Sequence, residues 1–337
     1  MLRMELDERD LDSGQKHQKH FERLPSVVES DTEIEKDFER LRIMNLNCHL
    51  AVLENDYLYH IALEKSERLK KAFSDVKYIC MGGSPKRMYQ FAHYIKEVIG
   101  LQLPIGVALQ NISEESDRYA MYKIGPVISV NHGIGCPSIS ILLNELIKLI
   151  HYAGCKDVTF FRIGTCGGVG VEPGTIIVTS EAVDGMFRPE YRQIVLGKEQ
   201  VRKTKCDEDL VNDILEIGKV HEDKDGIKKV ISGKTLCAND FYEGQGRLDG
   251  AFCEYTSSEK MDFLQKCKEN GVKNIEMESL CFTGLLNHAK IRGVVICVAL
   301  VDRLNGDQVV SHDLNIEFQE RPFKLVAKYI KKQLEKN

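Results

Sequence analysis

Three short apolar segments, each followed by a glycine-containing turn, most constrain what this chain can fold into. The segments and their glycines are 76–81 with Gly83, 127–130 with Gly133, and 158–163 with Gly164. Between the second and third segments, apolar residues recur at helical spacing from Ile139 to Ile150. A strand, a helix and a second strand in this order predict a parallel sheet, and hence an α/β fold. Ligands bind at the carboxyl ends of such strands, so the three glycines are expected at one edge of the sheet.

The first glycine turn has the features of an anion site. Ser84 is a favourable N-cap and Pro85 a favourable first helical residue, so a helix is predicted to begin directly after the strand. The N–H groups of Gly83 and of the helix N-terminus would face an anion there, and Arg87 lies in the first helical turn. An ordinary strand-to-helix connection explains the same residues equally well.

The third apolar segment, 158–163, carries one charge near its end, Arg162. A buried guanidinium requires an anionic partner. The glycines that follow, Gly164 and Gly167, let the backbone approach a ligand closely, and Thr165 adds a hydroxyl donor. This combination favours a phosphate site, and a charged strand end followed by a flexible loop is the alternative.

A loop at 240–247 contains two glycines and two planar hydrogen-bonding side chains, Gln245 and Arg247. An amide and a guanidinium two residues apart are suited to the edge of a nucleobase. A polar surface loop is the simpler interpretation of the same residues.

Two acidic residues, Glu276 and Glu278, flank Met277 at a predicted strand-to-helix transition. On a strand both carboxylates would lie on one face, which is costly without hydrogen-bond donors. The hydroxyl groups of a sugar would be suitable donors. Two exposed acids at the start of a helix are the alternative.

The composition argues against several classes of protein. The chain has 337 residues, a formal net charge of −5 and a pI near 6.1, so neither nucleic acid nor a membrane surface is expected as its main partner. Its 11 cysteines form no C-x-x-C pair and the first residues lack an apolar signal segment, which together favour a reducing, cytoplasmic location. No apolar run is long enough to cross a membrane.

Neither a cofactor nor a metal site is predicted. The dinucleotide motif G-x-G-x-x-G and the P-loop lysine motif are absent. His17 and His20 have no further ligands near them, and they lie in the polar segment 1–50, which is predicted to be a mobile N-terminal tail. Residues 51–337 are predicted to form one domain.

Six motifs occur in an order that is typical of one enzyme family. They are GGSPKRM, DRYAMYK, NHGIGCPS, FRIGTCGG, FYEGQGRLDG and NIEMES. Together they resemble the nucleoside phosphorylase superfamily, most closely the uridine phosphorylases, from about residue 55 to residue 333. The resemblance implies a three-layer α/β/α sandwich around a mixed, barrel-like β-sheet.

The same resemblance implies roles for individual residues. Those expected to bind phosphate are Gly83, Arg87, Arg118, Arg162, Ile163, Gly164 and Thr165. Those expected to bind the nucleoside are His60, Cys166, Gly167, Phe241, Gln245, Gly246, Arg247, Glu276, Met277 and Glu278. Arg118 and His60 would enter the site from a neighbouring subunit. Asp302 and Arg303 would support the loop that reads the base.

The activity that the resemblance implies is reversible phosphorolysis of uridine to uracil and ribose 1-phosphate, in pyrimidine salvage or catabolism. Inorganic phosphate is then a co-substrate and the nucleophile at C1′, so no cofactor or metal is expected, and the protein is expected to be at least a homodimer. Two residues depart from the family pattern: Cys166 stands where a hydroxyl residue is common, and Asp302 where many relatives have asparagine. A phosphorylase or nucleosidase for purine nucleosides and a catalytically silent nucleoside-binding relative are the alternatives.

Overall fold

The computed structural model describes residues 31–104, 106–222, 226–308 and 312–336, and its fold is organised around one large mixed β-sheet. The strands in this part of the chain are β1 (Tyr57–Leu58), β2 (Leu63–Glu64), β3 (Tyr78–Gly82), β4 (Met121–Ile124), β5 (Val127–Asn131), β6 (Thr159–Gly168), β7 (Ile176–Val183), β8 (Glu190–Val195), β9 (Lys198–Lys203), β10 (Val230–Cys237), β11 (Val272–Glu276) and β12 (Arg292–Asp302). β1 pairs with β2 and β8 pairs with β9 as separate hairpins.

Helices connect and cover these strands. In the described residues they are α1 (Asp31–Ile43), α2 (Glu67–Phe73), α3 (Pro85–Val98), α4 (Gly135–Tyr152), α5 (Glu208–Val220), α6 (Ser257–Glu269), α7 (Ser279–His288) and α8 (His312–Leu334). Short 3-10 helices occur at Cys48–Val52, Glu114–Ser116 and Glu243–Gln245. None of these described helices combines the length and the apolar content that crossing a membrane requires.

The large sheet closes on itself at one end. Its strand order is β11-β10-β7-β12-β6-β3-β5-β4, and β11 also pairs with β6, which joins five of the strands into a ring. β3 runs parallel to both β5 and β6, as the strand–helix–strand pattern predicts. β12 is parallel to β6 but antiparallel to β7, so the sheet is mixed. The predicted barrel-like α/β fold is confirmed.

Two apolar cores lie on opposite faces of the sheet and explain its layers. One core packs α2, α4 and α7 against the sheet, and the other packs α3, α5 and α8. The helix predicted between the second and third apolar segments is α4, whose buried stripe begins at Ile139. Burying an apolar stripe from each helix against the pleated strands produces the three-layer arrangement.

The glycine-rich segment after Ile163 is not a turn, which corrects the sequence prediction. β6 continues through it to Gly168, inside the closed ring. A Cβ atom at Gly167 would lie 2.9 Å from the side chain of Arg303, and one at Gly168 would lie 2.9 Å from the carbonyl oxygen of Val171. These glycines therefore allow close packing within a strand rather than a change of chain direction.

The predicted N-terminal tail, 1–50, is only partly within the described residues. His17 and His20 lie outside them. In the described portion, α1 packs on the domain: Leu41 is fully buried, and Arg40 donates a hydrogen bond of 2.6 Å to the carbonyl oxygen of Cys155. One apolar side chain and one guanidinium thus anchor the described helix on the domain, and the mobile tail at 1–50 stays a prediction.

Candidate active site

A cavity of about 410 Å³ opens at the carboxyl ends of β3, β5 and β6. Gly83, Gly133 and Gly164, which follow or lie near the ends of the three predicted strands, all line it. The expectation that the three glycines share one edge of the sheet is therefore confirmed. Residues from the loop at 240–247, the base loop, and from the transition between β11 and α7 complete the lining.

Arg162 is the buried charge at the centre of the cavity wall. Its guanidinium donates to the carboxylate of Glu278 and forms an ion pair of 3.0 Å with Glu276. Burial works against the charge of Arg162, but these two carboxylates hold the pKa of its guanidinium well above the ordinary value. The protein itself thus supplies the anionic partner that a buried guanidinium requires. Glu278, one of the two partners, is 116 positions away in the sequence.

The two neighbouring glutamates have different functions in the structure. Glu276 accepts hydrogen bonds from the backbone N–H of Glu278 and of Ser279, both at 3.0 Å, and from the Ser279 hydroxyl at 2.5 Å. It therefore caps the N-terminus of α7, although it is buried rather than exposed. Glu278 accepts a hydrogen bond of 2.6 Å from the backbone N–H of Gly135, at the start of α4. Glu278 thereby links two segments of the cavity wall.

The carboxylate of Glu278 remains negatively charged near neutral pH. Burial alone would raise the pKa of this carboxyl, but the charge of Arg162 and the hydrogen bond from Gly135 lower it below the ordinary value. A charged acceptor at the cavity wall is suited to hydroxyl donors of a sugar.

Arg87 provides a positive charge that forms no ion pair with any described residue, although the charge of Glu278 acts on it from a distance. It lies in the first turn of α3, where Ser84 Oγ accepts a hydrogen bond of 3.5 Å from its backbone N–H. No described residue accepts a hydrogen bond from its guanidinium. Burial and the nearby charge of Arg162 lower the pKa of Arg87. An anion bound here would offset both effects, so this is the preferred place for one.

Thr165 and Gly83 line the same cavity as Arg87. The hydroxyl of Thr165 lines it and has no hydrogen-bond partner among the described residues. A Cβ atom at Gly83 would lie 3.3 Å from Nη2 of Arg87, so glycine leaves room beside that guanidinium. Thr165, Gly83 and Arg87 together form a compact group of donors around open space.

Cys166 lines the cavity as a neutral thiol. Burial raises the pKa of Cys166 well above its ordinary value, and the Sγ atom donates a hydrogen bond of 3.4 Å to the carbonyl oxygen of Val298. A nucleophilic cysteine needs a lowered pKa, so this residue contributes packing and a weak donor.

Contacts of two arginines, Arg247 and Arg303, hold the base loop at the cavity wall. Arg247 donates to both carboxylate oxygens of Asp249, at 2.9 and 2.8 Å, and its guanidinium lies 4.6 Å from the ring centroid of Phe241. Arg303 supports the loop by donating to the carbonyl oxygen of Gln245 at 2.8 Å. The Gln245 side chain lines the cavity and has no hydrogen-bond partner among the described residues.

Several residues with predicted roles do not line this cavity. Ile163 is buried in the apolar core on the α3 side of the sheet. Gly246 has a φ of +63° and ends the 3-10 helix of the base loop. Asp302 accepts hydrogen bonds from the backbone N–H groups of Gly170, at 2.9 Å, and Leu304, at 3.2 Å. Asp302 thus stabilises the turn after β12, and in the described part of the chain no hydrogen bond is seen between its carboxylate and the base loop.

His60 and Arg118 lie together on a surface outside the cavity. His60 Nδ1 is 2.7 Å from Glu145 Oε1, and the Ser116 hydroxyl donates a hydrogen bond of 2.6 Å to the carbonyl oxygen of His60. The backbone N–H of Arg118 donates to the same hydroxyl at 3.4 Å, and its side chain is exposed. Both residues are thus held by the β1–β2 and β3–β4 connections of this chain, and neither reaches its own cavity.

Sequence reasoning missed His132, which lines the cavity between Arg87 and Glu278. The sequence feature that could have identified His132 is its position directly after an apolar strand and before Gly133, in the motif NHGIG. Sequence reasoning also missed Glu145, because its hydrogen bond to the backbone N–H of His60 joins residues 85 positions apart.

No group of three or more metal-ligating side chains lies together anywhere in the described ranges. The cavity instead combines an open guanidinium, a charged carboxylate and an amide-containing loop.

Comparison with known proteins agrees with this combination. The family model described as "Phosphorylase superfamily" matches residues 77–335. This chain belongs to that superfamily. It is 46% identical to uridine phosphorylase 1 of Mus musculus over 290 residues, which are 86% of this chain and 92% of the mouse protein. The predicted resemblance to the uridine phosphorylases is confirmed.

Solved structures of the superfamily share the fold. The crystal structure of uridine phosphorylase from Schistosoma mansoni in complex with thymidine matches with a TM-score of 0.80 and 39% identity, covering 86% of this chain and 98% of that one. A second Schistosoma mansoni protein, inactive uridine phosphorylase B, is 38% identical over 85% of this chain and 95% of its own length. Strong overall similarity in this superfamily therefore extends to a protein named as inactive, so the activity has to be argued from the site.

Proposed function

We propose that this protein catalyses the reversible phosphorolysis of uridine to uracil and ribose 1-phosphate. The observation that carries this proposal is the open guanidinium of Arg87 in the same cavity as the charged carboxylate of Glu278 and the base loop. These groups are suited to phosphate, to ribose and to a pyrimidine, in that order along the cavity. The chain's high identity to uridine phosphorylase 1 of Mus musculus supports uridine as the nucleoside.

In the proposed reaction a phosphate oxygen forms a bond to C1′ while the bond from C1′ to the base nitrogen breaks. The bonding electrons leave with uracil, so positive charge develops on the sugar and negative charge on the base. Phosphate is the nucleophile, and the protein therefore has to position two reactants rather than supply a nucleophilic side chain.

The described residues divide among the three parts of the substrates. Arg87, Gly83 and Thr165 would hold phosphate, with Arg162 behind them. Glu278 and Met277 would hold the ribose, and the negative charge of Glu278 would favour the developing positive charge on the sugar. Gln245 and Arg247 would donate to the uracil oxygens, and Phe241 would stack on the ring.

The working unit that we propose is a homodimer in which His60 and Arg118 of each subunit complete the cavity of the other. The position of both residues supports this, because neither lines the cavity of its own chain, the His60 ring is held by Glu145, and the Arg118 side chain is exposed. A second arginine on the phosphate would add charge that Arg87 alone does not provide.

Mixing two impaired variants tests this arrangement, at a uridine concentration at which neither variant alone has appreciable activity. In a dimer of one Arg118→Ala and one Arg247→Ala chain, one cavity has an intact base loop together with the intact Arg118 of the other subunit. Random reassembly should therefore restore about a quarter of the wild-type activity. No recovery after confirmed subunit exchange would show that Arg118 does not act across an interface.

The cytoplasm is the proposed location. All 11 cysteines are free thiols in the structure, which agrees with a reducing compartment.

Uracil release in the presence and absence of phosphate tests the proposed activity. We expect the purified protein to release uracil from uridine, measured by chromatography, only when phosphate is present. Release without phosphate would indicate a nucleosidase, and faster turnover of inosine would indicate a purine phosphorylase. Uridine binding without turnover would indicate a silent relative. A sample without protein and one with Arg87→Ala are the controls.

A further inference from the structure

We propose that His132 contacts both reactants, donating one ring hydrogen bond to phosphate and accepting one from a ribose hydroxyl. This inference rests on the proposed function and adds a residue to its site. Nothing in the ordered motifs assigns His132 a role, because the residue types that attract attention there are the glycines around it.

The backbone fixes the position of the His132 ring. Its N–H donates a hydrogen bond of 2.7 Å to the carbonyl oxygen of Gly82, which continues the parallel pairing of β5 with β3. Its carbonyl oxygen accepts a hydrogen bond of 2.5 Å from the Ser138 hydroxyl. Gly133, directly after it, has a φ of +71°, a left-handed conformation that glycine adopts without strain, and it also lines the cavity. The ring is thus placed by a strand end rather than by a mobile loop.

Neither polar atom of the ring is hydrogen-bonded to a described residue. His132 is 1% exposed, and both Nδ1 and Nε2 lack a hydrogen-bond partner in the part of the chain that the structure describes. Buried side-chain nitrogens are nearly always hydrogen-bonded, because an unpaired one retains the full cost of its desolvation. Since this ring also lines the cavity, the missing partners are expected to be supplied by what binds there.

The surroundings of the ring indicate which partners these are. Cε1, the carbon between the two ring nitrogens, lies 3.8 Å from the position that a Cβ would take at Gly83. The charged groups that act on the ring are Arg87 from α3, Arg162 from β6 and Glu278 from the start of α7. The ring therefore lies between the open guanidinium, where phosphate is expected, and the carboxylate, where ribose is expected.

The ring is neutral under these conditions. The pKa of His132 is lowered to about 3, mainly by burial. The charges of Arg162 and Arg87 lower this pKa further, whereas Glu278 and the backbone of Gly133 raise it. A neutral imidazole has one donor and one acceptor, whereas the charged form has two donors. The phosphate oxygens can only accept from the N–H, and a sugar hydroxyl can donate to the other nitrogen. One ring would thus fix the distance between the nucleophile and the sugar.

Kinetics of His132→Ala, with His93→Ala as the matched control, provide the first test. His93 Nε2 is also buried without a partner, but its ring packs on Tyr89, 4.5 Å away between centroids, outside the cavity. We expect His132→Ala to lower kcat/KM for uridine about 10²-fold and to raise KM for phosphate, as losing an aligned donor does. His93→Ala should change neither. His132→Gln, which retains a donor and an acceptor, should recover part of the loss.

A purely structural role for His132 would give a different result. His132→Ala would then lower the melting temperature, while the folded protein kept its kcat and both KM values. That outcome would overturn the proposal, as would equal effects in His132→Ala and His93→Ala.

Phosphate titration of histidine ring nitrogens tests the contact without requiring turnover. In protein labelled with ¹⁵N-histidine, the His132 ring signals, assigned by their loss in His132→Gln, should shift when inorganic phosphate is added. The His93 signals should stay unchanged. Unchanged His132 signals while calorimetry shows phosphate binding would contradict the proposal. Because this measurement uses phosphate alone, it remains informative if the wild-type protein fails the uracil-release assay and the proposed function is wrong.

Discussion

Replacing Arg162 by alanine is expected to reduce phosphorolysis about 10³-fold and to destabilise the fold by about 3–5 kcal/mol. The guanidinium is 3% exposed and holds the carboxylates of both Glu276 and Glu278. Its loss would leave two buried, like-charged groups without their cation, which costs more than losing an exposed ion pair. Steady-state kinetics of uracil release and chemical unfolding would measure the two effects.

The variant Arg247→Ala serves as the comparison for Arg162→Ala, because the structure gives the two arginines different surroundings. From the sequence, Arg162 is expected to bind phosphate, and its loss is expected to weaken phosphate use far more than uridine binding. In the structure Arg162 also orders Glu278, so Arg162→Ala should raise KM for both phosphate and uridine. Arg247 pairs with the partly exposed Asp249, so its replacement should raise KM for uridine and leave stability nearly unchanged. Indistinguishable kinetic and stability profiles for the two variants would contradict these roles.

The destabilisation of Arg162→Ala should depend on pH. In the intact protein, Arg162 helps to lower the pKa of Glu278 below its ordinary value. The ionised Glu278 therefore stabilises the fold at any pH above the pKa that this group has in the unfolded chain. This stabilisation is lost as pH falls through the pKa of Glu278 in the folded protein. Burial already raises the pKa of Glu276 although Arg162 opposes this, and without the guanidinium burial raises the pKa of both carboxyls. The folded variant therefore loses stability as pH rises. The difference in melting temperature between variant and wild type, measured by scanning calorimetry, should therefore shrink from pH 8 to pH 5. A constant difference would mean that the carboxylates are not the cause.

Replacing Glu278 by glutamine is the second change with a large expected effect. The amide has the same shape and its oxygen can still accept from Gly135, so the fold should be retained. It lacks the charge that holds the ribose hydroxyls and that offsets positive charge on the sugar. We expect kcat/KM for uridine to fall about 10²–10³-fold, with a smaller change in KM for phosphate.

Glu276→Gln and a deoxynucleoside provide the controls for this prediction. Glu276 caps α7, so its replacement should lower the melting temperature more than Glu278→Gln does and affect kcat/KM less. If Glu278 binds the 2′-hydroxyl, its replacement should matter less for 2′-deoxyuridine than for uridine. Equal losses with both nucleosides would argue against that contact.

Local sequence signals predicted the parts of the site that depend on local geometry. The N-cap Ser84 and Pro85 begin α3 where the pattern places it, and Arg87 follows in its first turn. Their capping and helical conformation depend on neighbours within a few residues, so the sequence alone contains the information. The β8–β9 hairpin had no such signal, since its strands are largely polar and half exposed.

Pairings between distant residues escaped prediction for a physical reason. The pattern around Arg162 showed that a buried cation needs an anion, but not that Glu276 and Glu278 supply it. The family resemblance implied that Ile163 binds phosphate, although its side chain packs in the core on the α3 side of the sheet. A strand alternates its faces, and which face borders a cavity depends on how the sheet closes.

By itself, the sequence determined the α/β class, the parallel strands and the residue types that meet at their carboxyl ends, because periodicity, capping and glycine spacing act over short distances. The tertiary structure decided the rest. Closure of the ring between β11 and β6 brings residues 116 positions apart into contact, so that Arg162 is neutralised within the protein while Arg87 stays open and His132 lies unpaired between the two halves of the cavity. The free energy of a buried charge or polar group depends on everything that surrounds it, and those surroundings exist only in the folded chain.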